Sequence, residues 1–158
     1  METLHVSTKM ISFRYFAPFF KGPVKVRLSK SAIHNINRSH KNLQSILSSG
    51  ESVYGVNTGF GNLSHIPINN EDQSQLQINL VRSHASGIGK YLEPSIVRVI
   101  LFLKLLTYAH GYSGVRLSLA NKIVQFINKD IIPVIPKRGS VGASGDLAPL
   151  GHMALALI

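Results

Sequence analysis

The segment that decides the interpretation of this chain is Gly139-Ser140-Val141-Gly142-Ala143-Ser144-Gly145-Asp146. Six of its eight residues are Gly, Ala or Ser, and side chains this small let a backbone fold on itself and approach a ligand closely. A P-loop is excluded because no Lys follows Gly145. A nucleophile elbow is excluded because Asp146 stands where that motif needs its second glycine. The segment is therefore neither a phosphate cradle nor a hydrolase elbow.

A third chemistry fits the segment and needs only backbone atoms and the side chain of Ser144. If the Gly145 nitrogen attacks the Ala143 carbonyl carbon, a five-membered ring closes, and loss of two waters leaves an imidazolone with an exocyclic methylene from Ser144. Gly145 has no Cβ to obstruct closure, Ala143 is small, and Ser144 carries the hydroxyl that leaves. No ordinary side chain is an electrophile, so an enzyme that must accept electrons from its substrate needs a metal, a cofactor or such a self-made group.

The longer run Gly-Ser-Val-Gly-Ala-Ser-Gly-Asp-Leu-Ala-Pro-Leu, residues 139–150, resembles the prosthetic-group segment of the aromatic amino acid lyases, and within them the branch that acts on histidine. The resemblance implies that Ala143, Ser144 and Gly145 form a 4-methylidene-imidazol-5-one autocatalytically, with no metal and no external cofactor. It also implies that Asp146 assists this ring formation.

A second segment, residues 54–61, is Tyr-Gly-Val-Asn-Thr-Gly-Phe-Gly. Its three glycines exclude a regular helix, and by spacing alone it is a glycine turn with a half-buried Tyr54. It is similar to the second signature of the same family, in the expected order. The resemblance implies that Tyr54 is the acid or base that takes the β-proton, and that Asn57 and Gly61 contact the substrate. A free phenol is only about 0.1% ionised at pH 7, so such a base needs a nearby positive group or another activating contact.

A third segment, Arg-Ser-His-Ala-Ser-Gly at residues 82–87, closes a predicted helix that begins near Asn69 or Asn70. A lone histidine in the last turn of a helix is usually structural. The segment is similar to a third family signature, which implies instead that His84 faces the substrate side chain and helps to set specificity.

Between these segments the apolar spacing predicts helices. Residues 29–49 show an amphipathic pattern ended by Gly50, and residues 94–110 are apolar around most of the circumference, which predicts a helix buried on all sides. The two prolines in residues 131–136 force an extended strap, and another apolar helix begins after Asp146. We therefore predict a mainly α protein, the N-terminal helical portion of an ammonia-lyase-type fold with glycine-rich active-site loops.

Composition narrows the class of protein further. The chain has 158 residues, 44% hydrophobic and 15% charged, which is typical of a globular protein that needs partners to cover its apolar surface. The formal charge of +10 is concentrated in the first 50 residues, and we interpret it as solvated lysines and arginines with no nucleic-acid partner. No apolar run is long enough for a bilayer, so no membrane partner is predicted. The absence of cysteine favours a cytoplasmic location.

For domain organisation we predict a basic and aromatic extension of uncertain role at residues 1–23, followed by the N-terminal portion of a lyase domain at residues 24–158. The last helical pattern is interrupted at Ile158, so we expect a domain truncated at its C-terminus. The resemblance implies a homotetramer whose site is completed by residues outside this chain, and we expect these 158 residues alone to be inactive.

The implied reaction is elimination of ammonia from L-histidine, which gives urocanate in histidine catabolism. Two alternatives stay open. The first is a tyrosine or phenylalanine ammonia-lyase, or an aminomutase, that uses the same group. The second is an inactive truncated remnant that serves only as an interaction fragment.

Overall fold

A computed structural model describes residues 3–142 and 145–158 of the chain. Within them the helices are α1 (Ala17–Lys21), α2 (Lys30–Ser48), α3 (Asn70–His84), α4 (Pro94–Ala109), α5 (Leu117–Asn128) and α6 (Ala148–Leu155). The strands are β1 (Thr3–Val6), β2 (Lys25–Leu28), β3 (Ile88–Tyr91), β4 (Pro136–Arg138), β5 (Val141–Gly142) and β6 (Gly145–Asp146). The strands are short and form three two-stranded pairs, β1 with β2, β3 with β4 and β5 with β6. The prediction of a mainly α protein is confirmed.

Helix α4 is the centre of the hydrophobic core and packs against α1, α2, α5 and β1. Its buried residues recur at helical spacing and are Val97, Leu101, Phe102, Leu105, Tyr108 and Ala109. The fully buried Phe102 ring meets the Phe19 ring of α1, with 5.1 Å between ring centroids. Burying one such side chain stabilises the fold by about 1.5–3 kcal/mol, so this face of α4 dominates the packing energy.

The prediction that α4 is buried on all sides is wrong. Leu103 is 45% exposed and Ile96 is 37% exposed, because the packing partners of α4 in the described residues cover only one side of the helix. Apolar residues around the whole circumference of a helix show that each of its sides can be buried. They do not show which sides the rest of this chain covers.

Residues 3–23, which belong to the segment predicted only as an extension of uncertain role, contribute to the core. Strand β1 pairs in parallel with β2, and Leu4 and Val6 are buried against the helices. Pro18 lies in the first turn of α1, where its missing N–H costs nothing, and the helix carries the fully buried Phe19. The segment is therefore packed as part of the same fold.

Helix α2 follows the sequence closely. Ser29 caps its N-terminus, with the hydroxyl accepting a hydrogen bond from the Ala32 N–H at 3.1 Å. At its other end the chain leaves through Gly50, which has a φ of 82°. The amphipathic helix predicted over residues 29–49 is confirmed.

The free edge of β2 is paired with a side chain instead of a strand. The Val26 N–H donates to Asn128 Oδ1 at 2.7 Å, and Asn128 Nδ2 donates to the Val26 carbonyl at 3.1 Å. Asn128 is the last residue of α5. Its side-chain amide pairs with both the N–H and the carbonyl of Val26, which is fully buried. This contact fixes α5 against the β1–β2 pair.

We expect Asn128→Ala to lower the free energy of unfolding by about 1–3 kcal/mol, because two buried backbone groups of Val26 lose their partners. Asn128→Asp should also destabilise, since a carboxylate accepts from the Val26 N–H but cannot donate to the Val26 carbonyl. Urea denaturation measures the change. Asn121→Ala is the matched control, because Asn121 is exposed on the same helix. Equal stability of the Asn121 and Asn128 variants would contradict this account.

The proline strap leads to the glycine-rich segment 139–146. Residues 131–135 have no helix or regular strand, as the two prolines predict, and Pro136 begins β4. Strand β4 pairs in antiparallel fashion with β3, which follows α3, and Leu92 N–H donates to the Ile135 carbonyl at 2.8 Å. The strap is thereby tied to the chain just after α3. No helix among the described residues is long and apolar enough to cross a membrane.

Candidate active site

Tyr54 lies in a tight loop and is held at two points. Its ring packs against the edge of the Phe60 ring, with 5.7 Å between centroids and an interplanar angle of 72°. Its phenolic oxygen accepts a hydrogen bond from the Gly61 N–H at 3.3 Å. The side chain is nevertheless 64% exposed, which differs from the half-buried tyrosine predicted from the glycine turn. The phenol is held in place and remains accessible.

Asn57 braces the same loop. Its Oδ1 accepts from the Val53 N–H at 2.7 Å, and its Nδ2 donates to the Glu51 carbonyl at 2.9 Å. Its backbone carbonyl accepts from the Ile68 N–H at 2.9 Å. In this structure the amide therefore positions the loop that carries Tyr54, and a substrate contact by Asn57 stays a prediction.

Helix α3 connects the tyrosine loop with the other candidate residues. Gln77 in α3 donates from Nε2 to the Gly55 carbonyl at 3.0 Å, which fixes the loop to the helix. His84 ends the same helix, and seven residues at a rise of 1.5 Å place it roughly 10 Å further along the axis. The apolar residues Leu76, Leu80 and Val81 of α3 are only half-buried.

His84 is half-buried, and its ring is oriented by its own helix. Nδ1 lies 2.8 Å from the Leu80 carbonyl oxygen and 3.2 Å from Ser83 Oγ. A carbonyl oxygen only accepts, so the hydrogen of this bond is on Nδ1. In the neutral ring Nε2 is then an acceptor.

Helix α6 packs closely on the end of α3. A Cβ added to Gly151 would lie 2.8 Å from the carbonyl carbon of His84 and 3.0 Å from Ala85 N, so only glycine permits this approach. The next residue, His152, accepts at Nε2 a hydrogen bond from the Gly87 N–H at 2.9 Å. These two contacts join the segment that carries His84 to the helix that follows the ring-forming residues.

Two paired strands flank the segment that is predicted to form the ring. Strands β5 and β6 are antiparallel, with Val141 opposite Asp146 and Gly142 opposite Gly145. Gly145 has a φ of 82°, in the left-handed region that favours glycine. Ala143 and Ser144, which join the two strands, lie outside the described residues.

Asp146 is fixed at the entrance to α6. Its Oδ1 accepts from the Ala148 N–H at 3.1 Å, at the first residue of the helix. Its carboxylate lies directly against Gly139, since a Cβ built there would be 2.6 Å from both Cγ and Oδ2 and closer still to Oδ1. The carboxylate therefore occupies the space that a side chain at position 139 would need.

The structure thus connects the predicted site residues through α3 and α6. Tyr54, Asn57 and Gly61 share one loop on α3, His84 ends that helix, and α6 joins His84 to Gly145 and Asp146. Two clefts on the described surface are lined by other residues, one within 67–79 and one within 14–24. Among the residues that the structure describes, the candidate site residues lie on an open surface and not in an enclosed cavity.

Sequence reasoning missed the residues that hold these segments together, namely Gln77, Gly151 and His152. Gln77 is one of several glutamines on α3, and only its contact with Gly55 distinguishes it. His152 lies two residues after the quoted motif, but its partner Gly87 is 65 residues away in sequence. The one available signal was Gly151 within a helical pattern, because a glycine inside a helix often marks a close approach of two backbones.

Comparison with known proteins identifies the family. The model of the family described as aromatic amino acid lyase matches residues 12–158, which is nearly the whole chain. The chain belongs to the aromatic amino acid lyase family.

Two curated relatives show the extent of the similarity. A probable histidine ammonia-lyase of Thermoplasma volcanium is 47% identical over 84% of this chain and 27% of its own length. Histidine ammonia-lyase of Salmonella typhimurium is 42% identical over 100% of this chain and 31% of its own length. The chain thus spans less than a third of these relatives and corresponds to their N-terminal portion.

A solved structure of an aminomutase has the same fold over nearly the whole chain. The crystal structure of tyrosine aminomutase from Streptomyces globisporus superposes with a TM-score of 0.87 at 30% identity, over 97% of this chain and 28% of that one. The predicted ammonia-lyase-type fold is therefore confirmed for the N-terminal portion.

Proposed function

We propose that residues 1–158 form the N-terminal part of an enzyme that eliminates ammonia from L-histidine to give urocanate. The observation that carries the proposal is the antiparallel pairing of Gly142 with Gly145, on either side of Ala143 and Ser144. The identities of 42–47% with histidine ammonia-lyases support the choice of substrate.

The described residues fit a self-made imidazolone. Closing the ring requires the Gly145 nitrogen to approach the Ala143 carbonyl, which an extended chain does not allow. The pairing of β5 with β6 and the left-handed φ of Gly145 supply a reversed chain at this point. Once formed from Ala143, Ser144 and Gly145, the group supplies an electrophile without a metal or external cofactor.

In this proposal Tyr54 removes the β-proton of the substrate. The Gly61 N–H and the Phe60 ring hold the phenolic oxygen at one position, which reduces the entropy lost when substrate and base come together. The exposure of Tyr54 leaves its oxygen open to a ligand. Gly61 acts through its backbone, and Asn57 holds the loop in shape.

His84 faces the substrate side chain. Because Nδ1 donates to the Leu80 carbonyl, Nε2 of the neutral ring is free to accept a hydrogen bond from an imidazole N–H of the substrate. The same acceptor would take the hydroxyl of a tyrosine side chain. The likeness to the tyrosine aminomutase therefore keeps a tyrosine-directed lyase or aminomutase as the second candidate.

We further propose that the complete enzyme is a cytoplasmic homotetramer, and that residues 24–158 belong to its lyase domain. The open position of the candidate residues supports this, because a site on an open surface needs other parts of the protein to exclude water. An inactive remnant remains the alternative of another class, and activity measurements distinguish the two.

The test is a chimera in which residues 1–158 replace the matching 31% of the Salmonella typhimurium histidine ammonia-lyase. We expect it to release ammonia from L-histidine and to form a product with the absorbance of urocanate. The unaltered Salmonella enzyme is the positive control, and L-tyrosine and L-phenylalanine are the competing substrates. Release of ammonia only from an aromatic substrate would favour the second candidate. A folded tetrameric chimera inactive on all three would favour the inactive remnant.

A further inference from the structure

We propose that Gly139 is a positioning residue that places the Asp146 carboxylate for formation of the imidazolone. The inference rests on the proposed function, since it concerns how the ring is made. It assigns a role to a glycine that lies outside the three residues of the ring and six positions before Gly145.

The requirement for glycine at position 139 is steric. Gly139 is not among the residues with a left-handed φ, so its backbone conformation accepts any L-residue. What excludes a side chain is the Asp146 carboxylate, whose Cγ and Oδ2 would both lie 2.6 Å from a Cβ there. Real Cβ atoms do not make such contacts, so either Asp146 or the backbone has to move when a methyl group is added.

The Asp146 carboxylate has two described neighbours. Oδ1 accepts from the Ala148 N–H at 3.1 Å, which ties it to the start of α6, and both carboxylate oxygens lie against Gly139, Oδ1 closer than Oδ2. A carboxylate has lone pairs for several bonds, so Oδ2 can accept a proton while Oδ1 keeps its bond to Ala148. We expect a methyl group at position 139 to displace the carboxylate, because α6 itself is anchored by its buried residues Ala148, Gly151 and Met153.

The chemistry of ring closure needs such a base. As the Gly145 nitrogen bonds to the Ala143 carbonyl carbon, it loses its proton, which Asp146 accepts and returns to the former carbonyl oxygen. That oxygen leaves as water together with the Ser144 N–H hydrogen. A C=N bond then joins the Ala143 carbonyl carbon to the Ser144 nitrogen. The Ser144 hydroxyl leaves as the second water with the Ser144 Cα hydrogen, which forms the exocyclic C=C bond. The sequence balances with no oxidant or reductant, and the carboxylate ends as it began.

The experiment follows ring formation in the full-length protein that carries this sequence, made by cell-free synthesis and sampled over time. Mass spectrometry measures the fraction of the peptide containing residues 143–145 that has lost two waters. We expect Gly139→Ala to slow this loss by about tenfold or more, which is a barrier increase of about 1.4 kcal/mol. Thermal unfolding of the same samples reports whether the fold survives.

The matched control is Gly142→Ala, the same substitution in the same segment. A Cβ on Gly142 meets no atom of the described residues within 4 Å, and Gly142 also lacks a left-handed φ. We expect this variant to lose water at a rate within about threefold of the unaltered protein, a difference of under 1 kcal/mol.

A double-mutant cycle with Asp146→Ala separates positioning from folding. Asp146→Ala removes the carboxylate and with it the overlap at Gly139, so we expect the double variant to fold even if Gly139→Ala alone does not. We expect Asp146→Ala to slow ring formation and Gly139→Ala to add nothing further in that background.

Three results would overturn the inference. The first two are loss of water at the normal rate in Gly139→Ala or in Asp146→Ala. The third is a double variant whose rate is lowered by the product of the two single effects. Absence of any water loss in the unaltered protein is a separate outcome, because it would refute the proposed function itself.

Discussion

Ser144→Ala is expected to abolish the proposed ammonia-lyase activity of the full-length protein, with a loss of turnover of at least about 1,000-fold, equivalent to about 4 kcal/mol of barrier. The exocyclic methylene can only come from a residue whose Cβ carries a leaving group. Alanine at position 144 has no hydroxyl to lose, so the electrophile does not form. The assay measures ammonia released from L-histidine.

The control for this prediction is Ser140→Ala, the same change four residues earlier in the same segment. Ser140 is not one of the ring-forming residues, so we expect its variant to keep turnover within about threefold of the unaltered protein. A Ser144→Ala enzyme with turnover close to that of Ser140→Ala would show that the reaction does not depend on the ring.

Tyr54→Phe is expected to reduce turnover by about 100-fold to 10,000-fold, the range typical of a lost general acid or base. Phenylalanine keeps the ring that packs against Phe60 and loses only the oxygen that accepts from the Gly61 N–H. The loop should therefore keep its shape, and the loss of two waters at residues 143–145 should be unaffected. Turnover and peptide mass are measured on the same preparation.

Tyr112→Phe is the matched control for Tyr54→Phe, since Tyr112 is 90% exposed and lies in a different turn. It should behave like the unaltered enzyme. Near-normal turnover of Tyr54→Phe would mean that Tyr54 is a packing residue of a glycine turn, which was the interpretation from spacing alone.

Local patterns in the sequence predicted most of the helices, because they depend on neighbours three or four residues apart. Ser29 and Gly50 marked the ends of α2, Pro94 the start of α4, and the two prolines the extended strap. Exposure was predicted less well. Leu103 is apolar in an apolar helix, and only the positions of the surrounding helices decide that 45% of its surface is uncovered.

The candidate site was predictable where residues form a contiguous motif and not where they meet through packing. Tyr54, His84 and Asp146 each lie in a recognisable segment. The contact between Gly87 and His152 and the contact between Gln77 and Gly55 join residues 65 and 22 positions apart. A Cβ at position 139 would overlap the Asp146 carboxylate because of how the chain folds between Gly139 and the start of α6. No residue pattern in the sequence predicts the distance between these two groups.

The measurement that tests the central claim most directly is the mass of the peptide that contains residues 143–145. Trypsin cleaves after Arg138, so the ring-forming segment is released on a peptide that begins at Gly139. We predict that this peptide from the active full-length protein is lighter than its sequence by two water molecules, with the loss located at Ala143, Ser144 and Gly145, and that Ser144→Ala restores the full sequence mass. An active enzyme whose peptide has its full, unmodified mass would contradict the account.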